Sequence, residues 1–222
     1  MKKINLIIFG GSSEIAKKLI SKNKKFSKIF VFSSKTNKKK ISNVEYFFVK
    51  DYKISKLKKI LEKIIISNMH IVLFMGKNDD KLLNSLKEKE IDFYLKVNLV
   101  VQIKIINLLL KSFLLYKPRI YVFSSTFINI KSFSSPIYSS SKIFLESMIK
   151  KISLLYKKLD IELSIIKIGL TEGGLKKRIN KYNEKLLYKY QKNKKMNLDS
   201  VANSITKILY KKKNRNFFYK IY

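Results

Sequence analysis

From one end of the chain to the other, apolar runs of four to seven residues alternate with stretches whose apolar positions recur every third or fourth residue. Residues 4–9, 29–32, 45–49, 71–75, 120–123 and 161–167 are rich in Ile, Val and Phe and predict short strands buried on both faces. Residues 15–21, 54–66, 92–115 and 137–159 predict amphipathic helices between them, and the tail predicts one more helix over 198–212 and a closing strand over 216–219. Strand and helix in strict alternation imply parallel strands joined by right-handed crossovers: a doubly wound α/β sheet with helices on both faces. Neither a Pro/Gly/Ser-rich linker nor an internal repeat interrupts the pattern, so residues 1–222 are expected to form one domain.

Composition narrows the chemistry. A hydrophobic content of 46% is enough for a core. The absence of cysteine excludes disulfides and thiolate zinc sites, and one histidine, His70, cannot build a histidine metal cluster. The most apolar run, residues 95–116, is broken by Lys96, Asn98, Gln102, Lys104, Asn107 and Lys111, so no membrane span is expected. The apolar stretch 4–9 is short and runs into Gly10-Gly11 without a cleavage site, which argues against a signal peptide and makes the cytoplasm the expected compartment. A net charge of +34 would ordinarily point to nucleic acid, yet only three of the 49 basic residues are arginine (Arg119, Arg178, Arg215). Lysine spread through nearly every segment reads as a bias of the whole chain, and specific nucleic-acid binding is not expected.

Two local patterns carry chemistry. The first strand runs into Gly10-Gly11-Ser12-Ser13-Glu14-Ile15-Ala16, where Gly10 allows a sharp turn and the start of a helix offers free N–H groups to a pyrophosphate. Tyr138 and Lys142 stand one helical turn apart behind Ser135-Pro136, a cap and a helix opener, so an ammonium sits near a phenol and is expected to lower its pKa. The same Tyr-x-x-x-Lys spacing recurs at Tyr46/Lys50, Tyr52/Lys56, Tyr188/Lys192 and Tyr190/Lys194, so spacing alone does not select the pair.

Context does. Ser125 lies 13 residues before Tyr138, Asn98 lies 40 before it, Gly76 closes the fourth strand, and Lys167-Ile168-Gly169 follows the sixth. With Gly10, these elements in register resemble the short-chain dehydrogenase/reductase family over essentially the whole chain. Departures are Glu14 and Ala16 at the second and third glycines of Gly-x-x-x-Gly-x-Gly, Leu73-Phe74-Met75-Gly76 for Asn-Asn-Ala-Gly, and a missing proline before Gly169.

The resemblance implies a Rossmann-type fold and an NAD(P)H-dependent oxidoreductase interconverting a ketone and a secondary alcohol. Tyr138 would protonate the carbonyl oxygen as hydride arrives, Lys142 would hold the nicotinamide ribose and tune Tyr138, Ser125 would hydrogen-bond the substrate oxygen, and Asn98 would position a water relaying protons from Lys142. Gly10, Ser12, Ser13, Ile15, Asp51, Gly76 and Gly169 join Tyr138 and Lys142 in the cofactor-binding set. Ser33, Ser34 and Lys35, without a carboxylate at the tip of the second strand, favour NADP(H), with NAD(H) still possible. Segment 170–197 would cover the substrate, and its lysines suit an anionic, sugar-type or carrier-linked carbonyl compound. A homodimer or homotetramer is the expected assembly. Two other readings remain open: a dinucleotide-binding protein without turnover, and a basic protein that binds nucleic acid or an anionic surface.

Overall fold

Successive strand residues face opposite sides of a sheet, and here both sides are apolar, so helices must cover both. The computed structural model describes residues 3–36, 40–65, 69–78, 83–126, 128, 135–159, 161–169, 171–172, 185, 189, 196–211 and 218–221. Its strands are β1 (Leu6–Phe9), β2 (Ile29–Ser33), β3 (Val44–Phe48), β4 (His70–Leu73), β5 (Arg119–Ser125), β6 (Glu162–Ile168) and β7 (Phe218–Ile221). They form one parallel sheet in the order β3-β2-β1-β4-β5-β6-β7. The main helices are α1 (Glu14–Ser21), α2 (Ile54–Ile64), α3 (Glu88–Leu95), α4 (Val101–Ser112), α5 (Pro136–Leu155) and α6 (Leu198–Tyr210).

Ile7 and Phe9 point to the face where Leu57 and Leu61 of α2, Ile105 and Leu109 of α4 and Ile149 of α5 pack. Leu6 and Ile8 point to the other, against Leu19 of α1 and Val201 and Ile205 of α6. Chain order reverses direction across the sheet between β1 and β4, which opens a crevice at the carboxyl ends of these strands.

The helix expected over 92–115 begins at Glu88, because its first turn is polar and carries no apolar signal. It is also interrupted by a π-helical turn, Lys96–Val100, where the Val101 N–H reaches back to the Lys96 carbonyl. Residues Glu88–Ser112 together make the one helix among the described residues that is, by length and composition alone, long and apolar enough to cross a membrane. Its core side chains, such as Ile105 and Leu109, pack against the sheet.

At the amino-terminal end of the strands a polar cluster lies inside the α1/α6 face. Tyr121 and Tyr219 donate to Glu162 Oε1 at 3.2 and 3.4 Å, and Arg119 Nε lies 3.5 Å from Glu162 Oε2. His70 stacks on Tyr121, with ring centroids 5.9 Å apart. Burial, reinforced by the Arg119 guanidinium, pushes the His70 pKa down to about 3. Below pH 6.5 the unfolded chain therefore takes up a proton that the folded chain refuses. The folded state is expected to lose up to about 1.4 kcal/mol per pH unit from this group between pH 6.5 and 3. Denaturant titrations of wild type and His70→Phe across that range should diverge by this slope, and parallel curves would disprove it.

Candidate active site

The β1–α1 turn is built around one carbonyl. Phe32 O, on β2, accepts from the N–H groups of Gly10 and Gly11 at 3.0 and 3.1 Å and from the Tyr52 hydroxyl at 3.3 Å. Gly10 turns with φ +82°, and a Cβ there would stand 3.0 Å from the Phe74 backbone carbon, so the turn lies against the end of β4 and tolerates no side chain. Ser13 caps α1, its Oγ accepting the Ala16 N–H at 3.1 Å. Ser12 and Ile15 are half-buried beside it, and Glu14 occupies the first turn, where the helix dipole favours a carboxylate.

The tip of β2 stands next to this turn. Ser33 is buried and its Oγ accepts the Lys35 N–H at 3.0 Å, so it shapes the loop, whereas Ser34 and Lys35 are exposed. Asp51 is exposed beside Tyr52. The Phe32 carbonyl thus gathers Gly10, the Ser33–Lys35 loop and the Asp51–Tyr52 corner into one region.

The second region forms where β4, β5 and α5 meet. Pro136 opens α5, and the Ser139 N–H closes its first turn on the Ser135 carbonyl at 2.9 Å. Tyr138 and Lys142 are both buried on its inner side, with Lys142 Nζ 5.9 Å from the Tyr138 ring centroid. Lys142 Nζ donates to the carbonyls of Met75 and Phe123, each at 2.9 Å. The other described pairs, Tyr46/Lys50 and Tyr52/Lys56, place their lysines in solvent, and the pairs at Tyr188 and Tyr190 lie outside the described residues.

Asn98 is wholly buried in the π turn, and its side chain brackets the backbone of Lys77: Oδ1 accepts the Lys77 N–H at 2.6 Å and Nδ2 donates to its carbonyl at 2.9 Å. Ser125 ends β5 two residues beyond Phe123, opposite Ile168. Gly169 follows β6, its N–H donating to the Ile221 carbonyl at 3.0 Å. Thr171 bridges to Met196, so the two roots of segment 170–197 are joined; Lys176, Lys177, Arg178, Tyr182, Tyr188 and Tyr190 lie outside the described residues.

The electrostatics correct one expectation. Burial, with the Glu146 carboxylate adding to it, pushes the Tyr138 phenol above its ordinary pKa instead of below it. The cation that was to lower it is itself desolvated: burial brings Lys142 down to about 7, and Glu146 opposes that shift. Glu146, one turn beyond Lys142 on α5, pairs with Lys167 of β6 at 2.5 Å. Sequence reasoning missed Glu146 and the Met75 and Phe123 carbonyls. An i+4 carboxylate on the same helix face was a signal for the first, whereas a backbone carbonyl carries none.

Two cavities, of about 580 and 450 Å³, open at the far, amino-terminal end of the sheet around Lys3, away from these groups. Strand-end crevices beside a topological reversal are the better guide in an open α/β sheet.

The sequence model of the short chain dehydrogenase family matches residues 7–184. No curated protein matches the chain. Among solved structures, a short chain dehydrogenase family protein from Francisella tularensis subsp. tularensis SCHU S4 superposes with a TM-score of 0.78 at 19% identity, covering 99% of this chain and 97% of that one. A 4-hydroxyisoleucine dehydrogenase complexed with NADH gives 0.80 at 17% identity, covering 98% and 97%. A short chain dehydrogenase from Burkholderia cenocepacia J2315 in complex with NADP gives 0.79 at 9% identity, covering 99% and 88%. At such identities the likeness to these structures is one of fold.

Gly76 lies against the buried lysine and Asn98. A Cβ there would lie 3.3 Å from Lys142 Nζ and 3.7 Å from Asn98 Oδ1. Gly76→Ala is therefore expected to displace the ammonium and weaken dinucleotide binding about tenfold, or about 1.4 kcal/mol, with a melting temperature close to wild type. Calorimetric titration beside a thermal melt checks this, and unchanged affinity would contradict it.

Proposed function

The chain belongs to the short chain dehydrogenase family, NAD(P)-dependent oxidoreductases, and on that premise we propose that it interconverts a ketone and a secondary alcohol with Tyr138 as the proton donor and acceptor. The observation that carries this reading is the buried Tyr138–Lys142 pair, with the ammonium seated on the Met75 and Phe123 carbonyls beside Gly76 and Asn98.

The residues present fit a dinucleotide. The first-turn N–H groups of α1, at the crevice between β1 and β4, suit a pyrophosphate, with Gly10, Ser12, Ser13 and Ile15 around them. Ser34 and Lys35 would meet the adenosine ribose, Asp51 the adenine, and Lys142 the nicotinamide ribose, with Gly76 and Gly169 leaving room at the strand ends. When bound, the dinucleotide supplies or takes up the hydride.

The protein supplies the rest. The raised pKa keeps Tyr138 protonated through neutral pH, so it holds a proton ready for a developing alkoxide. Lys142, still largely an ammonium below pH 7, stabilises the phenolate that remains. Ser125 donates a hydrogen bond to the substrate oxygen. Asn98 acts by locking the turn after β4 to the helix. The lysines of segment 170–197 favour an anionic carbonyl substrate, of sugar or carrier-linked type. One departure supports a second reading, dinucleotide binding without turnover: Glu14 places a carboxylate in the helix turn that would meet the pyrophosphate.

Tyr138→Phe deletes only the proton donor. Turnover, followed by reduced-cofactor absorbance over a panel of carbonyl compounds, is expected to fall by about 10²–10⁴-fold, while cofactor affinity stays roughly intact. Wild-type rates in the variant would refute the role of Tyr138; cofactor binding without turnover on any compound would favour the second reading.

The exposed Lys35 and the lack of a carboxylate at the tip of β2 support a preference for NADP(H). A charge-assisted hydrogen bond to the 2′-phosphate, worth roughly 1.5–3 kcal/mol, gives a preference on the order of tenfold to a hundredfold. Lys35→Ala should weaken NADP(H) far more than NAD(H). Equal weakening of both at moderate salt would assign the effect to the general positive field.

A further inference from the structure

Gln102 is wholly buried in the first turn of α4. Its Nε2 donates to the Asn98 carbonyl at 2.7 Å and to the Met75 carbonyl at 3.2 Å. The second of these is the carbonyl that receives Lys142 Nζ. The opposite assignment of the amide would set its oxygen against two carbonyl oxygens, so the nitrogen must face them. Its Oε1 has no hydrogen-bond partner among the described residues. Val101, Ile105, Ile106 and Leu109 around it on α4 are apolar core, and a leucine at 102 would continue that pattern without burying an unpaired oxygen. The amide is thus unfavourable as packing and useful only for what its nitrogen holds.

We propose that Gln102 is a positioning residue for Lys142: it ties the Asn98 carbonyl in the π turn to the Met75 carbonyl at the end of β4, and so fixes the cradle in which the ammonium sits. The proposal deepens the reading of Lys142 as a cofactor-binding ammonium and rests on it. The Asn98 carbonyl thus has a donor within the protein.

Without the Gln102 N–H, the Met75 carbonyl turns to Lys142 alone and the π turn loosens, admitting water. Both changes favour the charged form and move the lysine from about 7 toward its ordinary range. The other charged or titratable groups around it stay in place. Tyr138 and Glu146 lie on its own helix, Lys167 of β6 is held by Glu146, Lys77 lies over the Phe93 ring at 4.5 Å, and Lys96 is in the π turn.

The probe is NADH, whose phosphate groups do not titrate between pH 5.5 and 9.5. Its dissociation constant is measured across that range for wild type, Lys142→Met, Gln102→Met and Gln102→Leu, each with a thermal melt. In wild type, affinity is expected to fall above a midpoint near that of Lys142, and Lys142→Met should abolish the midpoint. Gln102→Met, close in volume but without a donor, should raise it by roughly half a pH unit or more, a threefold or greater change in affinity on the alkaline side. If that variant does not fold, Gln102→Leu, which continues the apolar pattern of α4 and likewise has no donor, should raise the midpoint in the same way. A midpoint unmoved in the Gln102 variants, with only the melting temperature lowered, overturns the proposal and leaves Gln102 structural. A wild-type profile that Lys142→Met does not alter overturns the assignment of Lys142 itself, and the proposal with it.

Discussion

An ammonium removed from water must find oxygen acceptors or give up its proton, and this constraint organises the active end of the molecule. Lys142 meets it with two carbonyls at the ends of neighbouring strands, β4 and β5. Those carbonyls converge only if the two strands stop in register, if residue 76 has no side chain, and if the segment after β4 is held down. The Asn98 amide does the holding by imitating a strand partner for Lys77. The π turn sits where that amide has to face the strand end, so an irregular helix and a missing Cβ answer the same requirement.

A second carbonyl, that of Phe32, plays the equivalent part for the β1–α1 turn, and the two centres meet through Phe74 and Met75. The Phe74 ring stacks on Phe123 with centroids 4.1 Å apart. The family places a polar element at Leu73-Phe74-Met75; here an aromatic pair joins the strand ends instead. Apolar contact of this sort holds the ends together without consuming the carbonyls, which remain available to Lys142 and to Gln102.

Much of this was legible in the sequence. Strands buried on both faces announce themselves as unbroken apolar runs, and their alternation with helices implied a parallel sheet covered on both faces. Tyr138 and Lys142 could be named only from their distance to Ser125, Asn98 and Gly76, because a chain so rich in lysine repeats the spacing by chance. Burial separates the pair from its imitations, and burial is a property of the fold. The direction of the Tyr138 shift was misjudged for the same reason: sequence shows a cation one turn away but not how much water both groups have lost. The partners of Lys142 were invisible because a backbone carbonyl has no letter. The cluster of His70, Arg119, Glu162 and Tyr219 was equally hidden, its members brought together by strand order across four strands.

The bridge between Thr171 and Met196 has a consequence for how such a molecule can diversify. Residues 171 and 196 are fixed to each other, so the points where the chain leaves and rejoins the sheet do not depend on what lies between. Doubling the number of residues between two fixed points costs only about 0.6 kcal/mol in closure entropy. Insertions, deletions and exchanges between the two anchors therefore leave the sheet and the buried lysine undisturbed. That part of the chain can be rewritten while the buried lysine and its two carbonyls are kept.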